Sequence, residues 1–98
     1  MAKSRYNIEK LEHMSEVLKA VAHPIRIAII DLLLQKDEMT VTEIYSLLNI
    51  QQPEASRQLK VLKNASLIKC RKSANTRFYY LSDRDIASLL NCIENCSV

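Results

Sequence analysis

Residues 40–63 read TVTEIYSLLNIQQPEASRQLKVLK, and their pattern decides the fold. Thr40-Val41-Thr42-Glu43 has the form of a capping box, in which the threonine hydroxyl and the glutamate carboxylate each accept from the other's backbone amide. Behind it, Ile44, Leu47 and Leu48 predict the buried face of a short helix. Asn49 falls where the chain must turn, and asparagine tolerates the left-handed region that most residues avoid. Ile50 is expected to pack inward at that turn. Gln51-Gln52-Pro53-Glu54 opens a second helix, with proline and glutamate both suited to a first turn. Ala55, Leu59 and Leu62 recur at i, i+4 and i+7 and predict its inner face, while Gln52, Ser56, Arg57, Lys60 and Lys63 fall on its others. Two short helices joined by a tight turn, the second basic on its outside, make a helix-turn-helix.

The flanks extend this unit. Leu67–Lys72 and Thr76–Leu81 are rich in branched and aromatic residues and predict two strands, with Ser73-Ala74-Asn75 as the hairpin tip between basic shoulders. A basic hairpin directly after a helix-turn-helix is a wing. Ser82-Asp83-Arg84-Asp85 then caps a last helix that carries Ile86, Leu89, Leu90 and Ile93 on one face. Toward the N-terminus, Ile8, Leu11, Met14, Leu18 and Val21 repeat at helical spacing over 7–21. Pro24 opens another helix that is apolar nearly all round and therefore buried, and Gln35-Lys36-Asp37-Glu38 is the polar break after it. The expected fold is mainly α with a small β-hairpin wing, in the order α-α-α-α-β-β-α, a single winged helix-turn-helix domain over residues 1–98. Amphipathic helices at both termini of so small a domain favour a dimer seam. It is expected to run along the terminal helices, about 7–21 and 83–95, through Leu11, Met14, Leu18, Ile86, Leu89 and Ile93.

The charge is concentrated. Residues 51–77 hold seven Lys/Arg (Arg57, Lys60, Lys63, Lys69, Arg71, Lys72, Arg77) against Glu54 alone, a net +6, while the whole 98-residue chain carries +3. A block of that sign attracts polyphosphate, because each neutralised phosphate releases condensed counterions. The chain contains no glycine, which excludes the glycine-rich phosphate cradles of nucleotide-binding enzymes. It has no tryptophan and one phenylalanine, too few for an aromatic cage or stacking platform. Its two histidines, His13 and His23, form no metal-binding pair, and His23 beside Pro24 suits a structural turn. Nothing in this composition builds a catalytic cluster, so no enzymatic activity, metal or cofactor is expected. No apolar run approaches the ~20 residues of a membrane span. The first six residues lack the apolar stretch of a signal peptide, so a cytoplasmic chain is expected. Three cysteines, an odd number, do not suggest structural disulfides in such a chain.

Three segments in order, Leu18–Arg26, Glu54–Leu62 and Arg77–Leu81, resemble the ArsR/SmtB family of bacterial winged-helix repressors over about residues 11–93. The resemblance implies a homodimer joined through its first and last helices and bound to a palindromic promoter operator. Two departures stand out. Ser66 and Asn75 occupy positions where the family usually has glycine, before the first wing strand and at the wing tip. The family's metal-binding Cys-x-Cys matches Thr40 and Thr42, which lack thiolates, and the last helix has none of the histidines of the alternative site. A dithiol switch known in some members is also missing one partner, since Asp31 stands where the second-helix cysteine is expected.

For duplex DNA, Gln52, Ser56, Arg57 and Lys60 are expected to face the major groove, where arginine reads guanine and glutamine reads adenine. Gln51 and Pro53 are expected near the phosphates at the helix N-terminus, and Lys72, Asn75 and Arg77 on the wing along the neighbouring minor groove or its backbone. Two alternatives stay open. One is a winged-helix module that meets an acidic protein; the other is a repressor sensing thiols or metalloids through Cys92 and Cys96, one helical turn apart. Cys70 in the basic strand is a further oxidisable thiol. No inducer can be read from the residues.

Overall fold

A computed structural model describes residues 2–96. Its elements are α1 (Ile8–Val21), α2 (Pro24–Lys36), β1 (Glu38–Met39), α3 (Val41–Leu48), α4 (Gln52–Asn64), β2 (Ile68–Ser73), β3 (Thr76–Leu81) and α5 (Ile86–Glu94). The fold is a winged helix-turn-helix, mainly helical, with an antiparallel β2–β3 hairpin as the wing.

The core forms where the apolar faces of α2, α3, α4, β2 and β3 meet. Ile29, Ile30 and Leu33 of α2 are fully buried and pack with Ile44, Ala55, Leu59, Leu62, Ile68 and Leu81. The helix is not buried all round as its composition suggests, since Ile27 is exposed and Ile25, Leu32 and Leu34 are only partly covered. Local side-chain bonds set the helix ends, and α1 begins at Ile8 rather than at residue 7. Asn7 caps α1 by accepting from the Lys10 amide at 2.8 Å. His23 is a cap too, its Nδ1 accepting from the Ile25 amide at 3.1 Å directly before Pro24. The Thr40–Glu43 capping box is closed in both directions, at 3.2 and 3.0 Å. Asn49 adopts the left-handed conformation at φ 54°, ψ 47° and ends α3, with Ile50 packed against the core.

Four further expectations are corrected. The polar break after α2 contains a strand: Asp37 turns at φ 54°, and Glu38 and Met39 pair with Tyr80 and Tyr79 at the far edge of the wing, giving the sheet order β1-β3-β2. This edge inserts Met39 into the core. Leu47 is not buried on α3; it is 56% exposed, because the short helix meets α4 and the sheet through Ile44 alone as a fully buried contact. The last helix starts at Ile86 rather than at 83, since the Asp83 carboxylate accepts from the Asp85 amide at 2.8 Å and makes a turn there instead of a helix cap. The hairpin tip has two residues, Ala74-Asn75, closed by the Ser73–Thr76 pair; the left-handed residue is Ala74 at φ 53°, not Asn75. Positive φ at the first of two loop residues marks a II′-type hairpin. Ser66 takes φ 62° in front of β2.

Arg84 fastens the segment before α5 to the end of α2. Its guanidinium donates to the Leu33 carbonyl at 3.3 Å and to the Leu34 carbonyl, and pairs with Asp37 at 3.2 Å. These are C-terminal carbonyls that lack helical partners.

A left-handed conformation costs a residue with a Cβ roughly 1–2 kcal/mol, partly offset in a glycine variant by its freer unfolded chain. Ala74→Gly and Ser66→Gly are each expected to raise Tm by about 2–6 °C, measured by thermal unfolding. A fall at either site would contradict the turn geometry.

Candidate nucleic-acid interface

α4 divides cleanly between core and solvent. Ala55, Gln58, Leu59 and Leu62 are buried, while Gln52, Pro53, Ser56, Arg57, Lys60 and Lys63 are exposed. Gln58 is the member that the apolar period does not reveal; its amide donates to Glu54 at 3.0 Å, which satisfies it where it is buried. The other Glu54 oxygen accepts from Arg57 at 2.6 Å. Arg57 is thus held along its own helix, and a base or phosphate must compete with Glu54 for it. Gln51 is the N-cap but makes no side-chain cap bond. Its carbonyl accepts from the Glu54 and Ala55 amides, both at 3.1 Å, and Pro53 has no N–H. The first turn therefore presents the Gln52 amide as its open donor to a phosphate.

The wing is built by register. Ile68, Cys70 and Lys72 pair with Leu81, Tyr79 and Arg77, and alternation puts all six on one sheet face. At the root that face is core, through Ile68 and Leu81. At the tip it carries two cations directly opposite each other, Lys72 and Arg77. Like charges in that relation destabilise a hairpin by a few tenths of a kcal/mol or more, and no carboxylate pairs with either among the described residues. A groove of about 320 Å³ runs beside Arg77, lined also by Thr40, Thr42, Asn75 and Tyr79, so the start of α3 and the wing face one space. Burial, then Cys70, pushes the Tyr79 hydroxyl above its ordinary 10.0, against the opposing pull of Arg77.

The opposite sheet face has another role. Arg71 forms a two-pronged pair with Glu38 at 2.9 and 2.6 Å, across β3, and lies 4.5 Å over the Phe78 ring. It ties the two outer strands together and is not a free cation. Of the seven basic residues in 51–77, Arg57 and Arg71 hold carboxylates, leaving Lys60, Lys63, Lys69, Lys72 and Arg77 unpaired among the described residues. The hydrogen bonds from Arg71 hold the Glu38 carboxyl below its ordinary 4.5. A lowered carboxyl pKa stabilises the fold above the unfolded value, and that contribution is lost as pH falls through the folded value. Glu38→Gln is therefore expected to melt below the parent at pH 7, with the gap closing as pH drops below the ordinary carboxyl range; a gap independent of pH would remove the ion pair as its cause.

The remaining candidates lie elsewhere. Leu11, Met14 and Leu18 are exposed on α1 and Ile93 on α5; Leu89 is half-buried, and Ile86 packs against the core. Cys92 and Cys96 are exposed free thiols and Cys70 is a half-buried one. No three His, Cys, Asp or Glu side chains converge among the described residues, and none of their helices is long and apolar enough to cross a membrane.

A helix-turn-helix domain model matches residues 21–71. The chain is 33% identical over 87 residues to an uncharacterized HTH-type transcriptional regulator of Methanocaldococcus jannaschii, covering 89% of this chain and 98% of that protein. It is 35% identical over 82 residues to the HTH-type transcriptional repressor SmtB of Mycobacterium tuberculosis, spanning 84% of this chain and 60% of that one. Among solved structures, the homodimeric winged helix-turn-helix DNA-binding domain of a possible ArsR-family regulator from Mycobacterium bovis superposes with a TM-score of 0.80 at 29% identity, over 96% of this chain and 87% of that one.

Proposed function

Because the chain belongs to the ArsR/SmtB family of winged-helix transcriptional regulators, DNA-binding proteins and not enzymes, we propose that it works as a homodimeric repressor on a two-fold symmetric promoter operator. The observation that carries this reading is the Lys72–Arg77 pair, two cations set opposite each other with no carboxylate on either among the described residues. Such a pair is a cost in the free protein that a phosphate removes. Gln52, Ser56 and Lys60 on α4 supply the groove-facing contacts, Arg57 joins them by exchanging Glu54 for a base edge, and Gln51, Pro53 and Asn75 lie against the backbone.

The dimer is supported by shape. The radius of gyration is 15.1 Å, against about 13 Å for a compact chain of this length, and the longest extent is 56 Å. α1 accounts for this: only Ala20 and Val21 are buried on it, while Ile8 is 67% and Leu18 54% exposed, alongside Ile93 at 53% on α5. A helix that leaves its apolar stripe in water needs a partner, and a second copy supplies the same stripe. The whole chain is then one domain whose terminal helices form the seam. A two-fold dimer sets its recognition helices one DNA turn apart, about 34–36 Å.

The test is fluorescence anisotropy with the duplex upstream of the chain's own gene against a scrambled duplex, between 50 and 200 mM salt. Six to ten phosphate contacts predict a loss of about 10³–10⁵ in affinity over that range, with the native duplex preferred. Equal, weak, salt-insensitive binding to both overturns the reading in favour of a protein partner.

A further inference from the structure

A second cleft, of about 560 Å³, lies between α1, the beginning of α2 and the end of α4. Its size falls within the ~300–1,000 Å³ of small-molecule sites. Arg26 of α2 lines it, and the Arg26 Nε is buried with no hydrogen-bond partner. The described residues give this guanidinium no ion pair: the one carboxylate on the wall, Glu16, belongs to Lys19 at 3.5 Å. A buried donor without an acceptor is costly, and an oxygen anion meets a guanidinium fork in two parallel bonds. The remaining wall combines the polar His13, Asn64 and Ser66 with Ala20, Val61 and Ala65, of which the last three offer carbon.

We propose that this cleft binds a small organic carboxylate, its carboxylate on Arg26 and its apolar body against Ala20, Val61 and Ala65. At 3.6 residues per turn, His13 and Glu16 lie on the side of α1 away from Leu11, Met14 and Leu18 and Lys19 lies at the margin, so a seam along that stripe leaves the cleft open. The cleft also joins the helix offered to the partner with the last turn of the helix offered to DNA. Its occupation alters how α4 sits relative to α1, which makes it an effector site; that regulatory role rests on the repressor reading above.

The experiment is an amide NMR titration of the full chain with benzoate, without DNA. Saturable shifts are expected at Ala20, Val61 and Ala65, weakened about tenfold or more in Arg26→Gln, in line with loss of a charged hydrogen bond. Should Arg26→Gln fail to fold, Lys19→Glu, an exposed change that turns a carboxylate toward Arg26, is expected to weaken benzoate in the same direction. Absent shifts, shifts indifferent to the substitutions, or equal binding of inorganic phosphate each overturn the assignment. A parallel anisotropy measurement is expected to show benzoate changing operator affinity; no change removes the effector role. A chain that binds benzoate but no duplex keeps the site and loses the repressor reading instead.

Discussion

Lys72→Gln and Arg77→Gln, made together, are expected to lower operator affinity by about 100- to 1,000-fold near 0.1 M salt and to flatten the salt dependence by nearly four contacts per dimer. The argument rests on what the pair does in each state. Free, the two cations face each other across β2 and β3 with no counter-charge among the described residues, so neutralising them should leave Tm unchanged or slightly higher. Bound, each is expected to neutralise a phosphate, and two protomers would double the loss. Affinity that falls while stability holds separates an anion-binding role from a structural one. Arg71→Gln provides the contrast, since its guanidinium is spent on Glu38 and Phe78: there stability should fall and the salt slope should stay close to the parent's. Duplex binding unaltered by the double change would exclude the wing from the interface.

Leu11→Glu with Leu18→Glu is expected to give a folded monomer whose operator affinity falls at least about 100-fold. Both side chains are exposed on the protomer, so the core loses nothing and the far-UV spectrum should persist. Carboxylates on a seam that must desolvate are costly, and a two-fold contact imposes each change twice. Without the second protomer, the two half-sites no longer raise each other's effective concentration. Sedimentation or light scattering reads the mass and anisotropy the affinity. A dimer that survives both carboxylates would move the seam off α1. Cys92→Ser with Cys96→Ser, on the exposed end of α5, tests the thiol alternative separately: operator release by an arsenical or oxidant that persists in this variant rules those two thiols out as the sensor.

Much of this was legible in local pattern, for a specific reason. The Thr40–Glu43 box, the His23-Pro24 opening, the left-handed Asn49 and the Ala55, Leu59, Leu62 face are each complete within a few residues, so neighbours along the chain suffice to define them. The central excess of charge is likewise a property of composition. Leu47 shows the limit: its spacing fits a buried position, but a helix of eight residues covers only what its neighbours reach. Gln58 shows the reverse, a polar side chain buried because Glu54 lies one turn away to accept from it.

The amino-acid sequence by itself determined the helix-turn-helix, the wing that follows it, the cationic sign of that region and the apolar stripes left on the terminal helices, because periodicity, caps and charge density are short-range quantities. Tertiary structure alone decided which cations are free. Glu38 claims Arg71 from 33 positions away, Lys72 meets Arg77 only through the hairpin register, and among the described residues the buried Arg26 Nε finds no hydrogen-bond partner. A two-residue strand such as Glu38–Met39 has no period of its own to read. Its identity comes from the edge of β3, some forty residues on, whose backbone groups need a hydrogen-bond partner that only the folded chain brings to them.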